Sequence, residues 1–150
     1  MKELAASLAE TVAAFERRLT MITHQDAARR SASGVWTKKE LLGHLIDSAA
    51  NNHQRFVRLQ LGNDLALPKY DQEAWVRVQH YQSTDWLTLI ELWTAYNLHL
   101  ARLIAGVEPS SLAHMCRVGE NGPVTLRFLM EDYLVHMKHH LKKLLETEPS

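Results

Sequence analysis

The sequence predicts an all-α protein, a four-helix bundle, and three observations carry that prediction. Apolar residues recur at steps of three and four along four separate stretches. Capping and breaking residues bound those stretches. No internal repeat or low-complexity segment divides the chain, so residues 1–150 are expected to form one domain. Four helices of roughly 18 to 25 residues, each with an apolar stripe, satisfy one another by packing as a bundle.

The first helix is predicted from Leu4, Leu8, Val12, Phe15, Leu19 and Ile22, which form one stripe. The second follows "RRSASG". Thr37 and Glu40 fit a capping box, with Thr37 as N-cap and Glu40 at N3, and Gly62 is the expected stop. Its core side carries Leu42, Leu45, Ala49 and Phe56. The third helix starts near Ser83 or Thr84 and runs to Gly106, burying Trp86, Leu89, Trp93, Leu100 and Ile104. The fourth follows Thr125 and reaches about Leu145, on a stripe through Leu126, Tyr133, Met137 and Leu144.

Two connections are too long for simple helix turns. Residues 63–82 hold Pro68, Tyr70, Trp75, His80 and Tyr81. Residues 107–124 contain Asn121-Gly122, a hairpin signal between short extended segments. Long connections in a compact domain commonly serve as lids or binding elements. Both are expected to close over the open face of a metal site, with Tyr70 and Trp75 as apolar walls for an electrophile, or equally to be plain covers over the bundle ends.

Composition narrows the function. Apolar residues make up 46% and charged residues 23%, as in ordinary globular chains. Lys plus Arg and Asp plus Glu are 17 each, so no net field attracts nucleic acid or an anionic membrane surface. The single cysteine, Cys116, excludes an internal disulfide and points to a reducing compartment. "MKELAASLAE" lacks the apolar run of a signal peptide, and no stretch suits a membrane span. A cytoplasmic protein is the expectation.

Chemistry is concentrated in "YLVHMKHHLKKLLE", residues 133–146. Residues four apart on a helix lie about 40° apart around its axis, so His136 and His140 can point at one ion. His139 and His140 diverge by about 100° and cannot both do so. His136 with His139 is a geometrically possible pair, but His139 lies beyond the apolar stripe. His136 and His140 are therefore read as the inward pair. The partner is sought on the second helix, where His44 stands at the margin of the core face, beside Asp47, Ser48 and Asn51. Three imidazoles from two facing helices would hold a divalent ion and leave positions open, as catalytic sites do. Zn²⁺ and Ni²⁺ both suit imidazole. The same histidines could instead be hydrogen-bonded core residues.

At this point the residues resemble a family. "VWTKKELLGHLIDSAANNHQRF" resembles the W-[ST]-x-x-E-x-x-x-H-L-x-D-S segment of DinB/YfiT-like proteins, and "YLVHMKHHLKKL" their final H-x-x-H-H helix. "LPKYDQEAWVRVQHY" and "LWTAYNLHLARLI" resemble stretches of the YfiT branch. The likeness covers about Trp36 to Leu145. It implies a four-helix bundle, usually a homodimer, with a divalent metal on His44, His136 and His140. Met137 departs from the glycine common after the first histidine of that helix.

The resemblance also implies an activity. Family members are described as metal-dependent hydrolases, and the YfiT branch is similar to bacillithiol S-transferases. The implied chemistry joins a low-molecular-weight, bacillithiol-like thiol to an electrophilic small molecule, the metal favouring the nucleophilic thiolate. The competing expectations are a hydrolase that activates water and a non-catalytic metal-binding bundle. Asp47 and Asn51 are the candidates for catalytic support: Asp47 could orient an imidazole or bind the thiol's amine, and Asn51 could wall the pocket. His99 is expected nearer the cleft than the other scattered histidines. Cys116 has no nucleophile pattern around it.

Overall fold

The computed structural model describes residues 1–146. In chain order it contains α1 (Lys2–Thr20), α2 (His24–Ala28), α3 (Lys38–Leu61), β1 (Leu65–Leu67), α4 (Gln72–Gln79), α5 (Trp86–Ala105), β2 (Met115–Val118), β3 (Val124–Thr125) and α6 (Leu126–Glu146). Short 3₁₀ turns lie at Tyr81–Ser83 and Pro109–Ala113. The four long helices close a ring: α1 packs along α5, α5 along α3, α3 along α6, and α6 returns to α1. Their predicted stripes meet in one core, with Leu8, Leu42, Phe56, Trp93, Leu100, Met130 and Leu141 fully enclosed.

Local chemistry explains the helix ends. The capping box forms: the Glu40 N–H donates to Thr37 Oγ1 at 3.2 Å, and the Thr37 N–H donates to Glu40 Oε2 at 2.8 Å. Gly62 does end α3, but in an extended conformation that needs no glycine-specific geometry. α5 begins two or three residues later than expected, because Asp85 is its N-cap and accepts from the Thr88 N–H at 3.0 Å. α1 stops at Thr20, short of Ile22. Thr23 then caps the unforeseen α2 by accepting from the Asp26 N–H at 3.1 Å.

The first long connection carries more structure than expected, and the second carries the expected extended segments. The first contains β1 and α4; the second contains β2 and β3. β2 and β3 form the antiparallel hairpin that Asn121-Gly122 signalled, with Cys116 opposite Val124. β1 joins it in parallel, with Leu65 opposite Cys116, which ties the two connections together. No helix among the described residues is long and apolar enough to cross a membrane.

One helix has no solvent face along part of its length. Residues 41–49 of α3 are all buried, because α5, α6, α4 and the Tyr81–Ser83 turn surround it. His44, Asp47 and Ser48 fall in this stretch. A polar group enclosed so completely needs a partner, or it costs stability.

Candidate metal centre

Two helices supply the centre. His44 projects from the enclosed part of α3, and His136 and His140 project from α6, one turn apart. Their ligand-capable nitrogens all lie within 4.8 Å of one another. His44 is 1% exposed, while His136 and His140 are half-buried. The ring centroids are separated by 6.0 Å for His44–His136, 4.9 Å for His44–His140 and 4.4 Å for His136–His140. Trp36 leans on the outer face of His44, with centroids 5.1 Å apart.

The arrangement fits a divalent cation on three grounds. His140 Nε2 faces His136 Nε2 at 3.0 Å; two nitrogens at about 2.0–2.1 Å from one tetrahedral ion would sit about 3.3 Å apart. The buried Nδ1 atoms of His44 and His140 have no hydrogen-bond partner among the described residues. Burial, together with the neighbouring His136, pushes His44 down to about 4. Burial and the neighbouring imidazoles push His140 to about 4 as well. Burial lowers His136 too, against the opposing pull of Asp132. All three are therefore neutral near pH 7, the form that coordinates metal.

His139 is exposed and turned away from this group, its ring centroid 5.4 Å from that of His140. Asp47 is buried on α3 but is not bonded to an imidazole. Its Oδ1 accepts from the Tyr81 hydroxyl at 2.6 Å and from Gln79 Nε2 at 2.7 Å, which pins the end of α4 and the following turn to α3. Burial raises the Asp47 carboxyl above its ordinary range, the two hydrogen bonds opposing the shift. Its Oδ2 has no partner among the described residues. Asn51 spends its amide on its own helix, donating to the Asp47 carbonyl at 2.9 Å. His99 is exposed and packs edge-on against His53, which contacts Tyr96, so it is placed outside the triad. Cys116 is 1% exposed in β2, and burial raises its thiol, which suits an inert residue.

A cavity of about 360 Å³ opens against His136. The first connection lines it through Lys69, Tyr70 and Gln72, as expected. Two expectations are corrected. No residue of the second connection lines it; instead the β2–β3 hairpin braces the first connection from behind. Nor are the walls mainly apolar: Ser48, Asn52, Arg55 and Asp132 face it, while Trp75 packs on Tyr70 with centroids 5.2 Å apart. A second cavity, of about 660 Å³, is lined by Trp36, Val35, Leu41 and Lys143, and shares Gln72 with the first. Trp36, Arg55, Lys69 and Gln72 were not singled out in the sequence. Trp36 carried a usable signal, standing immediately before the N-cap of the helix that bears His44.

Comparisons with known proteins agree with this fold. A profile of the DinB superfamily matches residues 3–144. A protein of Oceanobacillus iheyensis named "Putative metal-dependent hydrolase" is 26% identical over 112 residues, covering 73% of this chain and 63% of that protein. One of Bacillus mycoides with the same name is 23% identical over 107 residues, covering 71% and 61%. The match thus spans less than two thirds of either relative's length. Among solved structures, YfiT from Bacillus subtilis, described as "a probable metal-dependent hydrolase with an unusual four-helix bundle topology", superimposes with a TM-score of 0.84 at 20% identity, covering 97% of this chain and 84% of that one. A mycothiol-dependent maleylpyruvate isomerase superimposes with a TM-score of 0.68 at 13% identity, covering 91% and 59%. At such identities these structures establish a shared fold. With the profile matched along nearly its whole length, the chain belongs to the DinB superfamily.

Proposed function

We propose that the protein is a divalent-metal enzyme that joins a low-molecular-weight thiol to an electrophilic small molecule. The reading rests on one observation: three neutral imidazoles converge beside a cavity that His136 lines, and a second cavity, which shares Gln72 with it, reaches Trp36, the ring packed on His44, so two organic reactants can approach one centre. A hydrolase needs only one such cavity and water. An ion held by His44, His136 and His140, Zn²⁺ or Ni²⁺, would supply the Lewis acidity that lowers the pKa of a coordinating thiol. His44, enclosed and braced by Trp36, fixes the closed side of the centre. His136 presents the open side to the first cavity. The aromatic face of Trp36 offers the second cavity an apolar surface.

The name that the two curated relatives share favours a second reading, hydrolysis at the same centre. Turnover of a model electrophile by metal-loaded protein separates the two. We expect product only with an added low-molecular-weight thiol, none after chelation, and none from His44→Ala. Ester or amide turnover without thiol would favour the hydrolase. Inactivity in both assays together with absence of bound metal would leave a non-catalytic bundle.

A further inference from the structure

The cavity beside His136 contains two cations that the centre does not use. Arg55 projects from α3 and is half-buried. Among the described residues its guanidinium makes one long hydrogen bond, from Nη2 to the Pro68 carbonyl at 3.3 Å, and no ion pair. Four of its five N–H donors are thus left for something else. Lys69 reaches the same cavity from the first connection, and it too lacks a carboxylate partner among the described residues. The chain has no net charge, so this pair does not follow from an overall basic composition.

The fold holds Lys69 in place. Gly119 of the β2–β3 hairpin donates its N–H to the Leu67 carbonyl at 2.9 Å. The Lys69 stem then lies across Gly119 so closely that a Cβ there would come within 2.7 Å of Lys69 Cγ. Gly119 also has φ +62°, which a larger residue adopts at a cost. The small sheet therefore braces a lysine above the cavity. The polar wall is completed by Ser48 and Tyr70, with Asp132 on α6 as the sole acid among the lining residues. Asp132 makes no ion pair with either cation; its charge acts on His136.

We propose that this cavity binds the carboxylate of one reactant, with Arg55 making a two-pronged contact, Lys69 adding a second positive charge, and the reacting end directed toward His136. A planar guanidinium with unused parallel donors matches carboxylate geometry, and partial desolvation strengthens the contact. The orientation of the reacting end rests on the function proposed above; the anion site stands without it.

Calorimetric titration of the metal-loaded protein with succinate, succinamide and inorganic phosphate tests the site without turnover. Succinate should bind, and succinamide should bind at least about tenfold more weakly. Arg55→Gln should weaken succinate by about tenfold or more, and Lys69→Gln by a smaller factor, with metal content and thermal midpoint unchanged. Equal affinity for succinate and succinamide would overturn the proposal, as would unaltered succinate binding in a folded Arg55→Gln protein. Tighter binding of phosphate than of succinate would overturn the carboxylate assignment. Should Arg55→Gln fail to fold, Lys69→Gln and Arg55→Lys carry the test, and unchanged affinity in both would reject the site. Failure of thiol-dependent turnover with succinate binding intact would remove only the function. The converse would remove only the anion site.

Discussion

At the scale of single residues, the centre depends on which face of α6 each histidine occupies. His140 lies within 3.0 Å of His136 and has a buried, unpartnered Nδ1, whereas His139 is exposed one position earlier. His140→Ala should therefore lose most bound metal and His139→Ala should retain it, measured by elemental analysis of untagged protein. The reverse ranking would put the wrong face of α6 at the centre. This much was legible in the sequence, because helical angles alone separate His139 from the His136–His140 pair. Asp47 shows where such reasoning stops. Spacing placed it one turn from His44, but its partners, Tyr81 and Gln79, come from a connection whose path no periodicity encodes. Its neighbour Gly43 records that path in another way: a Cβ at residue 43 would fall 2.1 Å from Tyr81 Cδ2. Gly43→Ala must displace the Tyr81 ring and disturb its bond to Asp47. The gain in helix propensity, about 1 kcal/mol, is smaller than the strain of overpacking a full ring at that distance. A net loss of about 1–3 kcal/mol in urea unfolding is expected, and a stabilised variant would contradict this packing.

At the scale of elements, the long helices were readable because each buries one stripe and carries its own end signals. Thr37 and Glu40 are the clearest case, since the residues that start α3 contact one another three positions apart. The connections were less readable for the opposite reason. β1 has three residues and pairs in parallel with a strand some fifty positions later, and no local pattern announces such a partner. The helix α4 was hidden in a segment that reads as aromatic loop, although Asp71 caps it by accepting from the Ala74 N–H at 3.0 Å. These missed pieces decide the chemistry around the centre. They turn an expected apolar lid into a polar wall that brings Lys69, Tyr70 and Gln72 beside His136.

At the scale of the whole molecule, three imidazoles that bring α3 and α6 together couple protonation to folding. In metal-free protein, His44 and His140 titrate at about 4 in the folded state, against about 6.5 in an unfolded chain. Between those values the unfolded chain binds more protons, so folding is disfavoured progressively as pH falls from about 6.5 toward 4. Above about 6.5 both states hold these rings neutral, and this contribution is constant. His136 acts in the same direction through its lowered value, moderated by Asp132. Asp47 acts oppositely, because its folded carboxyl is raised and takes up its proton before the unfolded chain does. That compensation involves one carboxylate against four imidazoles, because burial and the neighbouring His99 lower His53 as well, so the histidines set the sign. Urea unfolding of chelator-treated protein should therefore give a midpoint that falls as pH drops from 7 to 4.5. In a His44→Gln, His140→Gln double variant the fall should be much shallower. A wild-type midpoint that stays level through this range would mean that the imidazoles are not held neutral by burial.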